Sequence, residues 1–279
     1  MSEVTIIVNT CDAYEDVWQL FFCAFNEYWS ECEYEIILNT EKKQTKLLNN
    51  KIRIHNFHSL NGEDKWGLRL KQTLVECKSQ YVLMLYDDFI LEGAIAEDKI
   101  KECLESMDRH PEVAVFYFNN ISVNKNISDD RFEGYELMPQ RGDYKLNSAP
   151  SVWRREKLMS YVENNDNPWG WEFFGSYRTY GTSDLFYCVQ KGHENIYPYN
   201  YEMGGAIYRG KWVGQIVLPL IEKYGLQINL RIRGLADGAQ TNNRRSLLWK
   251  MKFVLLGFRM IGVGALIFIY RGLRKKLKI

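Results

Sequence analysis

Short apolar runs alternate with stretches of helical spacing along most of the chain. Val4-Thr5-Ile6-Ile7-Val8 predicts a strand buried on both faces, closed by the turn and capping residues Asn9-Thr10-Cys11-Asp12. A helix pattern runs from about Tyr14 to Trp29, and strands are predicted at Tyr34–Leu38 and Ile52–Phe57. Trp66, Leu70, Leu74 and Cys77 recur at helical spacing, and Tyr81-Val82-Leu83-Met84-Leu85-Tyr86 follows as another buried strand. A helix from about Ala94 to Arg109 leads to the strand Val113–Phe118, and the polar stretch from Asn119 to Ser148 reads as a loop or an excursion from the sheet. The β-α-β-α order predicts an α/β sandwich with a mostly parallel central sheet. Ligands bind such sheets beyond the carboxyl ends of the strands.

Composition adds little to this for a chain of 279 residues, except in its aromatics (8 Trp, 18 Tyr and 14 Phe), which suit flat ligands such as sugars and also fill cores. Charge adds more. From Arg244 to Ile279 there are ten Lys or Arg and no acid, which leaves 26 basic residues against 35 acidic ones in the rest of the chain. An acidic body argues against nucleic acid as a partner. The basic, apolar tail points to an anionic membrane surface. Phe253 to Tyr270 is apolar apart from Arg259 and several glycines, short for a spanning helix, and flanked by basic residues at both ends. One or two helices lying in the membrane face are expected, with docking on the catalytic body as the alternative. Six unpatterned cysteines and a start without a signal-peptide pattern lead us to expect a reduced, cytoplasmic compartment.

Candidate chemistry begins with Asp87-Asp88, directly after a buried strand. Adjacent carboxylates there need donors, solvent or a cation; they suit Mg²⁺ or Mn²⁺ completed by a diphosphate, or else they cap the next loop. The strand Thr5–Thr10 and the segment Tyr81–Phe89 resemble those of a GT-A-fold nucleotide-sugar glycosyltransferase, in particular the bacterial family-2-like enzymes of surface polysaccharide biosynthesis. Ser148-Ala149-Pro150-Ser151-Val152-Trp153-Arg154, Asn167-Pro168-Trp169-Gly170-Trp171-Glu172 and Tyr208-Arg209-Gly210-Lys211-Trp212 resemble later segments of the same enzymes, in the same order.

The resemblance implies a GT-A-type Rossmann-like sandwich over residues 1–240, with a nucleotide-sugar-binding half (1–118), an acceptor half (119–240) and a membrane-associating helical tail (241–279). It implies a metal held by Asp88, with Asp87 orienting or binding through water, although the acid motif departs from the usual Asp-x-Asp. It also implies Glu172 as the base of an inverting transfer. Thr10, Cys11, Asp12, Glu41, Asp64 and Arg69 are expected near the nucleotide, and Arg209 and Lys211 over its phosphates. Trp169 and Trp171 are expected to stack on the acceptor. Arg69 has an internal ion pair as its alternative, Arg209 and Lys211 a solvated turn, and Glu172 a helix start beside core aromatics. The implied partners are a nucleoside diphosphate sugar and a polyprenyl diphosphate-linked saccharide, at the cytoplasmic face of the bacterial inner membrane. A sugar nucleotidyltransferase is the rival enzyme, although the Gly-rich basic loop expected near its first strand is lacking. A non-catalytic carbohydrate-binding or adaptor protein of the same fold is the rival outside enzymes.

Overall fold

The computed structural model describes residues 4–45, 52–55, 65–121, 123, 125–200, 202–236 and 246–277. The first half alternates as β1 (Val4–Asn9), α1 (Glu15–Tyr28), β2 (Glu35–Asn39), β3 (Ile52–His55), α2 (Trp66–Glu76), β4 (Tyr81–Tyr86), α3 (Glu97–Arg109) and β5 (Val113–Tyr117). The second half is more broken. It runs β6 (Ile127–Ser128), β7 (Tyr135–Leu137), β8 (Ser151–Arg154), α4 (Arg155–Tyr161), α5 (Pro168–Phe173), β9 (Leu185–Val189), β10 (Ile207–Tyr208), β11 (Lys211–Trp212), α6 (Gly214–Tyr224), α7 (Leu247–Ile261) and α8 (Ala265–Leu277).

Nine of these strands form one sheet in the order β3-β2-β1-β4-β8-β5-β9-β7-β6. The six strands β3, β2, β1, β4, β5 and β9 run in one direction, and β8 is inserted antiparallel between β4 and β5. This is the mostly parallel α/β sandwich that the alternation of strand and helix patterns predicted. The polar stretch after Phe118 contributes β6 and β7 to the sheet edge, so it is part of the sheet and not only a loop.

The strands read as unbroken apolar runs because both faces are covered. In β4, Tyr81, Leu83 and Leu85 join the core under α1 and α3, while Val82 and Met84 join the opposite core with Leu70, Leu74 and Trp171. Parallel pairing of β1 with β4 sets Asn9 opposite Tyr86, and pairing with β2 sets Asn9 opposite Asn39. The residues that follow these three positions therefore emerge together at the carboxyl edge.

The tail folds back on itself. Phe253 of α7 and Phe268 of α8 both contact the rings of Phe173 and Phe174, at centroid distances between 4.8 and 5.7 Å. In a straight helix they would stand roughly 22 Å apart. The reversal falls at Gly262, whose φ of 56° favours glycine. Leu247–Arg271 is apolar and long enough to cross a membrane by composition and length. Its two arms, however, have 15 and 13 residues, and at about 1.5 Å per residue neither spans a hydrocarbon core of about 30 Å. One side of the hairpin docks on the body through Gly170 under Met260, Gly257 under Phe174 and Gly264 under Tyr177. Arg271, one of the basic tail residues, pairs with Asp143 at 2.8 Å. The other side carries exposed Leu247, Leu248, Met251, Leu255, Val263 and Leu266. Arg244, Arg245 and Lys278 of the tail lie outside the described residues.

Candidate active site

A cleft of about 800 Å³ opens at the carboxyl edge of the sheet, and Thr10, Glu41, Arg69, Asp87, Asp88 and Glu172 all line it. The acid pair forms its centre. Asp87 is 2% exposed and accepts a 2.5 Å hydrogen bond from the Thr10 hydroxyl, which in turn accepts one from the Trp18 indole. Asp88 faces the cleft, and its backbone carbonyl accepts from Ala206 N–H at 2.7 Å. Burial, and then the Asp88 charge, holds the Asp87 carboxyl well above the usual carboxylate range. Burial raises Asp88 as well. The two acids lie in a place that disfavours their negative charge, and a cation would relieve that penalty. No group of three potential metal-ligating side chains converges among the described residues. One or two carboxylates with substrate phosphates and water make a sufficient set for Mg²⁺ or Mn²⁺, so the acid pair fits such an ion.

At the β1 end the residues expected near the nucleotide are largely tied to one another. Arg69 is buried, pairs with Glu41 at 3.1 Å and donates to the Thr10 carbonyl at 2.9 Å, so the internal-pair alternative describes it. Glu41 also accepts from Asp12 N–H at 2.9 Å. The Asp12 carboxylate accepts from Lys42 and Lys43 N–H, which fixes the loop after β2, and it does not line the cleft. Cys11 lines the cleft, and burial and the Asp87 and Glu41 carboxylates push its thiol up to about 11, which favours the protonated form. Asp64 lies outside the described residues.

The β10–β11 turn separates the two basic residues expected over the phosphates. Arg209 lines the cleft, with φ of 51°, and Gly210 follows with φ of 80°. Two successive positive φ values make the tight hairpin turn, and an arginine there costs about 1 kcal/mol or more of backbone strain. Lys211 is exposed and does not line the cleft, contrary to expectation. A cation not expected from the sequence also acts on the acid pair. Arg233 is held by Asp16 at 2.5 Å, lies 4.4 Å from the Tyr14 ring centre, and its charge favours the ionised form of both acids. No motif around it marks it out.

Glu172 stands on α5 and lines the same cleft as the acid pair. Asn167 caps this short helix, accepting from Gly170 N–H at 2.8 Å, and Pro168 opens it. The Glu172 carboxylate accepts from Ser148 N–H at 2.7 Å, while burial raises its affinity for a proton. The two tryptophans diverge. Trp169 is 54% exposed at the cleft rim, whereas Trp171 is fully buried and donates to the Tyr161 carbonyl at 3.1 Å. Trp171 therefore cannot stack on an acceptor; it is a core residue. Trp66, Tyr86 and Ser148 line the same end of the cleft, and none was singled out as a site residue from the sequence.

No protein-family model matches the chain, and no curated protein matches it. Among solved structures the chain is similar to TarS 1–349 from S. aureus, at 12% identity over 68% of this chain, with a TM-score of 0.44. That match spans 60% of the TarS chain. The same protein in complex with UDP-GlcNAc matches at 14% identity over 91% of this chain and 79% of that one, with a TM-score of 0.43. The galactosyltransferase LgtC in complex with donor and acceptor sugar analogues matches at 13% identity over 59% and 61% of the two chains, with a TM-score of 0.37. CMP:2-keto-3-deoxy-manno-octonic acid synthetase in complex with CTP matches at 12% identity over 57% and 77%, with a TM-score of 0.33.

Proposed function

We propose that the protein is an inverting glycosyltransferase that moves a sugar from a nucleoside diphosphate sugar to a hydroxyl of a lipid-linked saccharide. The observation that carries this reading is the meeting of Asp87-Asp88 and Glu172 in one cleft at the carboxyl edge of the sheet. In this reading Glu172 takes the proton of the acceptor hydroxyl, the hydroxyl oxygen bonds to the anomeric carbon, and the bond from that carbon to the diphosphate breaks. The nucleoside diphosphate leaves with the electron pair. Attack from the Glu172 side, opposite the leaving group, inverts the anomeric centre. Asp88, backed by Asp87, would hold Mg²⁺ or Mn²⁺, which supplies charge neutralisation for the leaving diphosphate. Arg209 adds positive charge at the same wall. Thr10 and Arg69 shape the nucleotide end, the hydroxyl by fixing Asp87 and the guanidinium by fixing Glu41.

The hairpin of α7 and α8, with an apolar outer side and a basic flank, supports a seat on the cytoplasmic face of the bacterial inner membrane and a polyprenyl diphosphate-linked acceptor. Incubation with a panel of nucleoside diphosphate sugars and Mn²⁺ tests the reading through release of nucleoside diphosphate. Slow donor hydrolysis, lost in Asp88→Ala, is expected. Pyrophosphate release from a nucleoside triphosphate and a sugar phosphate, with every nucleotide sugar left intact, would overturn it in favour of a nucleotidyltransferase.

A further inference from the structure

We propose that the groove between α5 and α7 seats the lipid chain of the acceptor, with the phosphate next to that chain held by Lys252. The proposal rests on the transferase reading and adds where the part of the acceptor that is not sugar lies. A second cavity, of about 400 Å³, adjoins the cleft. Pro168 and Trp169 line both, so the two share one rim. Most of the remaining wall comes from α7, as Trp249, Phe253 and Leu256. Lys252 is the single charged residue on that wall among the described residues.

Helix geometry joins the groove to the exposed side of the hairpin. Trp249, Lys252, Phe253 and Leu256 recur at spacings of three and four, so they share one face of α7. Exposed Leu248, Met251 and Leu255 each stand one position earlier, about 100° round the helix. Lys252 is within one turn of Leu248 and Leu255 on that stripe and of Leu256 in the groove, which sets its ammonium at the border between them. An apolar surface therefore continues from the outside of the hairpin, past one cation, into a groove that ends at the rim of the cleft. The wall is braced from behind: Trp249 stacks on Phe253 at 5.0 Å, and Phe253 leans on Phe174 at 4.8 Å.

These surfaces select an amphiphile built of hydrocarbon, anion and sugar. Chain carbon buried on the aromatic and aliphatic walls supplies affinity, at about fourfold per methylene. A phosphate pairs with the Lys252 ammonium, and no acid lines the groove among the described residues to oppose it. Trp169 stands at the shared rim, one helical turn before Glu172, where the saccharide passes from groove to cleft. A peptide laid in the same groove would find few partners there for its backbone groups.

Farnesyl phosphate, used below its micelle concentration and without vesicles, is the probe, and titration calorimetry on the full-length protein is the measurement. One saturable site per chain is expected. Dimethylallyl phosphate, with the same headgroup and a much shorter chain, should bind at least about a hundredfold more weakly. Lys252→Gln should weaken farnesyl phosphate about tenfold and leave farnesol unchanged, whereas Trp249→Ala should weaken both. Lys252 is exposed, so its variant should melt as the wild type does and keeps the test independent of folding. Absence of saturable binding, equal affinity for the two chain lengths, or indifference to both substitutions would overturn the proposal. Uptake of several lipids per chain would assign the surface to a bilayer alone, and self-association that excludes the probe would assign it to a second copy; either result also overturns it. Nucleotide-sugar turnover by the wild type separates the two readings. A protein that hydrolyses a nucleotide sugar but does not bind farnesyl phosphate keeps the transferase reading and loses the groove. One that binds farnesyl phosphate but neither hydrolyses nor transfers from any nucleotide sugar loses the transferase reading, and the acceptor seat falls with it.

Discussion

Replacing Glu172 by Gln separates the base from the shape of its site. The carboxylate accepts from Ser148 N–H at 2.7 Å, and the amide oxygen of glutamine can accept the same bond, so the loop before β8 should stay in register. What the variant loses is a proton acceptor. Base catalysis contributes about 10²–10⁴-fold, or about 3–5 kcal/mol of the barrier at 1.36 kcal/mol per factor of ten. The loss belongs in kcat, with the donor KM nearly unchanged. Stability should move the other way. Burial raises the proton affinity of Glu172 in the folded state, so its favourable contribution is complete below the ordinary glutamate value of 4.5 and is lost as pH rises through the folded value. At neutral pH the wild type carries a carboxylate that the fold disfavours, and the variant does not. Glu172→Gln should therefore melt higher than wild type at neutral and alkaline pH, with the gap closing on acidification. The wild-type kcat should fall on the acid side at a pH above the ordinary glutamate range. Nucleoside diphosphate release and calorimetric melts across pH measure both halves. A variant with wild-type kcat would refute the role of base, and one whose loss lies in donor affinity would move Glu172 to the donor site.

If the proposed site holds, Mn²⁺ with a nucleoside diphosphate should raise the melting temperature of the wild type and not of Asp88→Asn, and the rise should grow with pH, because the cation displaces protons from the acid pair. Gly257→Val places a Cβ 2.5 Å from the Phe174 ring, so the hairpin must shift; a loss of about 1–3 kcal/mol, with new protease cleavage in α7, is expected. Trp171→Ala should cost about 3–5 kcal/mol in a denaturant titration, whereas Trp169→Ala should change stability by less than about 0.5 kcal/mol.

The sheet was legible where strands are buried on both faces. Val4–Asn9 and Tyr81–Tyr86 announce themselves as unbroken apolar runs, and the acids after Tyr86 then fall at the ligand-binding edge by topology alone. The antiparallel β8 was not legible as a strand, since four residues carry too little period to register and its partners β4 and β5 are distant in sequence. Pairing Trp169 with Trp171 ignored helix geometry. Residues two apart on a helix point about 200° from each other, so only one of the two can face the cleft. Trp66, Tyr86 and Ser148 read as ordinary members of a helix, a strand and a loop. Only the crossing of those elements in space makes them neighbours. Arg233 acts on the acid pair across the same kind of distance in sequence.

The short helix α5 is a shared wall. One side presents Trp169 and Glu172 to the cleft, and the other receives the hairpin, with Gly170 under Leu256 and Met260 and Phe173 between Phe253 and Phe268. A wall of six residues has almost no stiffness of its own and borrows it from what leans on it. Cutting the chain before α7 would strip the backing from the segment that carries Glu172, and leave Phe173, Phe174 and Tyr177 bare. The hairpin is therefore a buttress for α5. A shift of the hairpin would be delivered to Glu172 through a single layer of side chains, which ties the position of that carboxylate to the docking of the tail.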